Sequence, residues 1–222
     1  MKALLLLLLF WANVPLVAQK RIEEKLRVKP GQKVELDLKF ADSIRVKYWD
    51  QPEVSVVILV TINDGKLNDA LTVKTSETES AVKLAVDLDK RLVNQSKSGA
   101  APGEKDMPQI TSTDILYDVY LPRNAPLDLS TINGNVLLDG AGAPVMAKSI
   151  SGFVDMSWPD PLGANLFLKS ITGEVYSNLA IEFKGKVKNN PMVGYNILGK
   201  AKDGGPMVHL ESVSNNVYLR KK

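Results

Sequence analysis

The chain offers few of the side chains that proteins use for catalysis. Its 222 residues include one histidine, His209, and no cysteine, which excludes disulfides, thiolate metal ligands and a thiol nucleophile. His209 stands between Val208 and Leu210 in an alternating segment, so it points away from the apolar face and is typical of a surface residue rather than a zinc ligand. Neither a Gly-x-Ser-x-Gly elbow nor a phosphate-binding loop occurs. We therefore expect no catalytic residue, no metal and no cofactor.

Cleavage of a polysaccharide would need paired carboxylates, or a carboxylate beside a basic residue, on one face. The candidates Asp155 and Glu174 flank equivalent valines on opposite sides, so they do not share a position. Lys148, Lys169 and Glu211 do share one, in three related segments. These three side chains form either an outward polar ladder that binds a ligand or an ordinary solvated sheet face.

Two tryptophans at the ends of apolar segments are candidates for sugar binding. Trp49 precedes Asp50, and Trp158 begins the sequence Trp-Pro-Asp-Pro, which contains Asp160. An exposed indole beside polar groups stacks on sugars, whereas an indole at the edge of a sheet more often covers the end of a core. The candidate binding residues are Trp158, Asp160, Trp49, Lys148 and Lys169.

The elements that would position these residues belong to a repeat in the C-terminal half of the chain. Each copy alternates apolar and polar residues and then has a hydroxyl residue, a branched anchor residue, a small residue two positions after the anchor and an apolar residue four positions after it. The anchors are Ile132, Ile150, Ile171 and Val213, and the small residues are Gly134, Gly152, Gly173 and Asn215. A period of about 20 residues is typical of stacked repeats. The doubled interval before the last copy predicts a degenerate copy at 192–194.

The repeat predicts a strand, a tight corner and a second strand in each copy. Alternation is the signature of a half-buried strand, and glycine or asparagine after the anchor suggests a corner with φ > 0. One copy is long enough for one coil of a β-solenoid, in which each strand pairs with its equivalent in the next coil at about 4.8 Å. An antiparallel sandwich of similar hairpins is the alternative. The hydroxyls lie either in the outward ladder or inside a corner, where they hydrogen-bond along the stack.

The chain divides into three parts. Residues 1–19 are predicted to be a secretory signal peptide, because one lysine precedes a short apolar run that ends near a small residue. Residues 20–121 form an N-terminal β region with a flexible polar loop at 94–113, and residues 122–222 form the repeat region. The predicted fold class is all-β: a short single-stranded β-solenoid, capped by a layer of N-terminal β-strands. After the signal peptide, no apolar segment is long enough to span a membrane.

The charge balance does not indicate a polyanionic partner. The formal net charge is +3, so nucleic acid is not an expected ligand. The basic C-terminus, Arg220–Lys222, is predicted to be a solubilising end whose charge discourages end-to-end stacking.

Two stretches of the sequence carry a family resemblance. Residues 117–136, together with the repeated phrase Ser-Ile-Ser-Gly-x-Val, and the earlier segment 43–56 resemble the bacterial putative-adhesin family of domains of unknown function. The resemblance covers about residues 30–220. It implies an exported or cell-envelope β-solenoid protein and supplies no catalytic residues. The chain departs from the family pattern at 189–199 and in the loop 94–113.

The sequence therefore favours an exported, non-catalytic adhesin-like module that binds a partner or has a structural role. It would be periplasmic, at the cell surface or secreted, and a cell-surface glycan or an envelope protein would be its partner. Two alternatives stay open. One is a glycan-active enzyme, a polysaccharide lyase or hydrolase on a β-helix scaffold. The other is a structural or stress-response envelope protein without a small ligand.

Overall fold

The computed structural model describes residues 19–95, 110–140, 142–184 and 195–222. The predicted signal peptide up to residue 18, most of the predicted loop 94–113 and the degenerate copy predicted at 192–194 lie outside these ranges. No helix within them is long and apolar enough to cross a membrane. The described chain is all-β, with two sheets and very little helix.

The described ranges contain seventeen β-strands. The first seven are β1 Lys20–Arg27, β2 Lys33–Leu38, β3 Ser43–Trp49, β4 Glu53–Ile62, β5 Leu71–Glu77, β6 Ala81–Leu88 and β7 Thr113–Pro122. The other ten are β8 Leu127–Thr131, β9 Asn135–Asp139, β10 Val145–Ser149, β11 Val154–Trp158, β12 Ala164–Ser170, β13 Val175–Ser177, β14 Ile181–Phe183, β15 Tyr195–Ala201, β16 Met207–Ser212 and β17 Val217–Lys221. A 3₁₀ turn spans Asn68–Ala70, and one short helix, α1, spans Lys90–Gln95.

The strands form two sheets around one buried apolar cluster. Sheet A has the order β1-β4-β7-β3-β9-β11-β17-β13, and sheet B has the order β14-β15-β12-β16-β10-β8-β2-β6-β5. Inward and outward residues alternate because successive side chains of a strand point to opposite faces, and β12 shows this alternation along its whole length. In β4 the residues from Val54 to Ile58 are all buried, so both faces of this part of the strand are covered.

The repeat copies lie side by side in parallel and in one register. Their first strands pair in the order β8, β10, β16, β12 in sheet B, and their second strands pair in the order β9, β11, β17, β13 in sheet A. Each copy therefore contributes one strand to each sheet and crosses between the sheets at its corner. The copies are not paired as antiparallel hairpins, so the sandwich alternative is wrong.

The copies do not lie in chain order. The C-terminal strands β16 and β17 lie between the second copy, β10 and β11, and the third copy, β12 and β13. The chain returns from the third copy through β15, which pairs antiparallel with β12, and then crosses the start of β12 in the loop 202–206. At this crossing the two backbones are in close contact, since a Cβ added to Gly163 would lie 2.1 Å from the carbonyl oxygen of Gly204.

The N-terminal region continues both sheets. β2 pairs in parallel with β8, and β3 pairs in parallel with β9. The later strands β6 and β7 pair with the outer sides of β2 and β3. Antiparallel strands complete this end, with β4 and β1 in sheet A and β5 in sheet B. The N-terminal strands therefore cover the edges of the first repeat copy.

Candidate functional site

The hydroxyl residue before each anchor points inward. Ser149, Ser170 and Ser212 are fully buried. Their Oγ atoms donate to the carbonyl oxygen of the small residue in a neighbouring corner, in the pairs Ser149–Gly134 (2.9 Å), Ser212–Gly152 (2.8 Å) and Ser170–Asn215 (2.7 Å). The hydroxyls thus satisfy carbonyl groups inside the corners and take no part in an outward ladder.

At Gly152 and Gly173, two of the four small corner residues, the absence of a Cβ is required by close stacking and not by backbone conformation. Among the four positions only Gly134 has a positive φ, +118°, so the prediction of φ > 0 is wrong for Gly152, Gly173 and Asn215. A Cβ added to Gly152 would lie 2.0 Å from the carbonyl oxygen of Gly134. The reason is that equivalent corners of adjacent copies are only one strand spacing apart.

The anchor residues lie outside the core. Ile132 and Ile150 are each 41% exposed, and Ile171 and Val213 are half-buried. Their backbone amides continue the parallel ladder around the corner, for example from the nitrogen of Ile150 to the oxygen of Thr131. The anchors therefore form the outer wall of the stack and have a structural role.

Lys148, Glu211 and Lys169 are neighbours on the outward face of sheet B. Glu211 lies between the two lysines, and its Oε1 is 3.3 Å from Nζ of Lys148 and 3.4 Å from Nζ of Lys169. Burial acts to raise the pKa of Glu211, but the charges and hydrogen bonds of the two lysines outweigh it and hold the pKa below its ordinary value. The lysines therefore tie three strands together, and this arrangement explains them without a ligand.

His209 lies on the same face as these three residues. Its ring meets that of Phe167 edge-on, with the centroids 4.3 Å apart, and its Nε2 is buried, makes no hydrogen bond and is 3.6 Å from Oε2 of Glu211. Within the described residues, no group of three or more histidine, cysteine, aspartate or glutamate side chains is placed to bind a metal. His209 therefore has no co-ligands in that part of the chain.

The prediction of Trp158 as a sugar-binding residue is wrong. Its side chain is fully buried, and its Nε1 donates a 3.0 Å hydrogen bond to the carbonyl oxygen of Leu162. The strand alternation already contained the signal, because Val154 and Met156 point inward and Trp158 occupies the next inward position. Its indole fills the end of the core and has no free face for a sugar.

The three C-terminal cations are ion-paired with carboxylates of earlier copies and loops. The pairs are Arg220–Asp155 (2.7 Å), Lys221–Asp160 (3.0 Å) and Lys222–Asp139 (2.5 Å). These cations therefore do not lie at an end of the stack, as the prediction that they discourage end-to-end stacking requires, because β17 lies inside sheet A and not at its edge. The hydrogen bond from Lys221 lowers the pKa of Asp160, which makes this carboxylate a partner of the C-terminus rather than a free ligand group.

A depression of about 220 Å³ lies nearby, on the outward face of sheet A. It is lined by residues that include Asp139, Asp155 and Arg220. Burial raises the pKa of Asp155, and the charge of Arg220 opposes this shift. Asp139 and Asp155 both pair with C-terminal cations. These carboxylates therefore attach β17 to the sheet and need no ligand to explain them.

Trp49 lines a cleft of about 430 Å³, which is formed by three turns at one end of the strands of sheet A. These turns follow β1, β3 and β7. The register pairs Trp49 directly with Pro122, although the two residues are far apart in sequence. Apolar walls and polar groups meet in the cleft, which is lined in part by Trp49, Pro52, Pro122, Asp50, Arg123 and Asn124. Of these, the sequence had indicated Trp49 as a binding residue, and nothing in it showed that the third turn lies beside Trp49.

The Trp49 indole is fixed in place before any ligand binds. Its Nε1 donates a 2.8 Å hydrogen bond to the carbonyl oxygen of Glu53, and its ring lies 5.3 Å from that of Tyr120. The backbone nitrogen of Arg123 donates to the carbonyl oxygen of Trp49, and its Nε lies 2.8 Å from Oδ1 of Asp50. A rigid aromatic surface with convergent polar groups can pack against the C–H face of a sugar while hydrogen-bonding its hydroxyls.

The fold and the cleft together define a class: an all-β protein with two sheets of largely parallel strands and a preorganised aromatic cleft at one end of the strands. The fold is similar to that of a putative cell adhesion protein from Clostridium sporogenes, which is 14% identical, with a TM-score of 0.53 over 91% of this chain and 100% of that one. A putative adhesin from Bacteroides fragilis is 11% identical, with a TM-score of 0.33 over 93% and 99% of the two chains. The name of the first of these proteins is consistent with the resemblance carried by the sequence. No family model and no curated protein matches the chain.

Proposed function

We propose that this protein is an exported, non-catalytic adhesin-like module that binds a cell-surface glycan in the cleft around Trp49. The observation that carries the proposal is the fixed orientation of the indole at the wall of an open cleft, with the Arg123–Asp50 pair beside it. A site that is ordered in advance loses little conformational entropy on binding. This favours recognition of a weakly contacting ligand such as a sugar.

The proposed architecture is a short β-solenoid that presents this cleft. The parallel, in-register pairing of equivalent strands supports it, as does the buried row of hydroxyl groups from corner to corner. Such a stack is rigid, because each corner hydrogen-bonds to its neighbour. A rigid body with loops grouped at one end of its strands is a suitable carrier for a binding site. Export follows from the predicted signal peptide.

The test is a glycan array with the purified protein, followed by calorimetric titration of the glycans that bind. Trp49→Ala should abolish or strongly weaken binding, since aromatic anchors carry much of the energy of such contacts. Tyr176→Ala is the matched control, because Tyr176 is also a large exposed aromatic residue but is not among the residues that line the cleft. Circular dichroism of both variants establishes that the fold is retained.

Four outcomes separate the hypotheses. Binding that is lost with Trp49→Ala and kept with Tyr176→Ala supports the proposal. Binding that survives Trp49→Ala would show that the glycan lies elsewhere. An array without any bound glycan would favour the structural alternative, and new reducing ends or unsaturated products after incubation with polysaccharides would favour the enzymatic one.

A further inference from the structure

The C-terminal strand pair fills a slot in both sheets. β16 pairs with β10 on one side and β12 on the other, and β17 pairs in the same way with β11 and β13. In the described sheets β10 does not pair with β12, and β11 does not pair with β13. Residues 207–222 therefore supply the strand pairing between the second and third copies.

The side chains of this segment make the contacts that hold it in the slot. Its donors and charges meet partners in the three earlier copies and the turns beside them, in the pairs Ser212–Gly152, Glu211–Lys148, Glu211–Lys169, Arg220–Asp155, Lys221–Asp160 and Lys222–Asp139. None of these contacts depends on which chain supplies the segment. An identical segment from a second molecule would reproduce all of them.

The connection to this segment adopts an unfavourable backbone conformation at one residue. Loop 202–206 joins β15 to β16 across β12, a distance of two strand spacings or about 10 Å, whereas six Cα–Cα steps span about 20 Å when extended. Lys202 has φ 53°, a left-handed conformation that disfavours residues with a Cβ, and Gly204 and Gly205 have φ 81° and 156°. An opened loop would relieve the conformation of Lys202.

We infer that residues 207–222 exchange between two copies of this chain, so that each segment fills the slot of the other molecule in a strand-swapped dimer. Exchange keeps every contact of the slot and changes only the loop, which is the condition for low-cost swapping. The partner is a second copy of the chain. The strands beside the slot pair in register with a repeat copy, and the carboxylates near it pair with the three terminal cations. This inference does not rest on glycan binding.

The test uses cysteine pairs, since the chain has no cysteine of its own. Met146 and His209 are direct neighbours on β10 and β16, and a parallel strand spacing of about 4.8 Å lies within the range for a disulfide. A Met146→Cys chain and a differently tagged His209→Cys chain are mixed, unfolded, refolded together at several concentrations and oxidised with oxidised glutathione. We expect a disulfide-linked heterodimer whose yield rises with protein concentration.

The matched control keeps Met146→Cys and moves the second cysteine to Asp128, the neighbour of Met146 on β8. Swapping does not bring these two positions together between chains, because both lie outside the exchanged segment. We expect the 146/209 mixture to give several-fold more heterodimer than the 128/146 mixture. Equal yields at every concentration would overturn the inference. The double variant in one chain shows that the 146/209 geometry permits the bond.

A loop variant gives a second measurement. Gly204→Pro is incompatible with φ 81° and removes the hydrogen bond from the Gly204 nitrogen to Ala201, so the closed loop is disfavoured while an open one is not. We expect its dimer fraction after refolding, measured by light scattering, to exceed that of the wild type. A variant that refolds as a monomer with the wild-type circular dichroism spectrum would contradict the swap.

Discussion

The Oγ of Ser212 donates a 2.8 Å hydrogen bond to the carbonyl oxygen of Gly152, sixty residues earlier in the chain. Ser170 makes the equivalent bond to Asn215, in the copy that follows it in sequence. The corner hydroxyls thus follow the spatial order of the copies and not their order in the chain. This repeated hydrogen bond therefore identifies the neighbours of the C-terminal segment in the stack.

Ser212→Ala should destabilise the protein by about 1–3 kcal/mol, the cost of leaving buried polar groups unpaired. The change removes the donor to Gly152 and the acceptor for the backbone nitrogen of Asn215. Chemical denaturation measures the effect. Ser130→Ala is the control, because Ser130 is outward and half-buried, and it should change the unfolding free energy by less than about 0.5 kcal/mol. Equal effects of the two changes would mean that the corner bond contributes nothing specific.

Gly152→Ala should destabilise the protein by about 3 kcal/mol, at the upper end of the usual range for overpacking. The added methyl group would meet the carbonyl oxygen of Gly134 at 2.0 Å, so the two corners must separate. Gly142→Ala is the control, since its nearest contact would be an ordinary 3.4 Å. A melting temperature of Gly152→Ala equal to that of this control would contradict the close stacking of the corners.

Arg220→Met should lower the unfolding free energy at neutral pH by about 1 kcal/mol, the upper end of the range for ion pairs at a protein surface. Its partner Asp155 is only 15% exposed, and burial already raises the pKa of Asp155, so loss of the guanidinium should raise that pKa further. The pKa is followed by NMR titration of the carboxyl carbon. Lys221→Met is the control, because its partner Asp160 is 45% exposed, and it should leave the titration of Asp155 unchanged.

Glu211 should make the protein less stable in acid. Its pKa is held below the ordinary value by the two flanking lysines despite burial, so its ionised form is favoured in the folded state. This stabilisation is complete above the unfolded pKa of about 4.3 and is lost as the pH falls through the lower folded pKa. Glu211→Gln should therefore lower stability at neutral pH, and its difference from the wild type should shrink as the pH falls through that range.

Asp128 lies on the same sheet, and its ionised form should have the opposite effect on the free energy of unfolding. Burial raises its pKa, so its ionised form is disfavoured in the folded state and its cost is present above the folded pKa. Asp128→Asn should raise stability at neutral pH and match the wild type in acid. Unfolding curves between neutral pH and pH 3, at constant ionic strength, measure both variants, and the same sign for the two would contradict these assignments.

Much of the strand content was predictable from local alternation. The shared position of Lys148, Lys169 and Glu211 follows from the repeat phase, because parallel pairing in register places equivalent residues side by side. The burial of Trp158 was also available in the sequence, since it continues the inward phase of its strand. Trp49 follows the inward residue Tyr48, so it takes an outward position in its strand. The alternation therefore distinguishes Trp49 from the inward Trp158.

The amino-acid sequence by itself determined most of the strands, which side of each of these strands is apolar and where the corners lie, because these depend on periods of two residues and on small side chains. It did not determine the order of the copies. All four copies carry the same phase, so any of them could lie beside any other, and only the crossing at Gly163 and Gly204, the corner hydroxyls and the terminal ion pairs distinguish the neighbours. The Trp49 cleft likewise exists only after folding, because its three turns come together through pairing between strands distant in the chain.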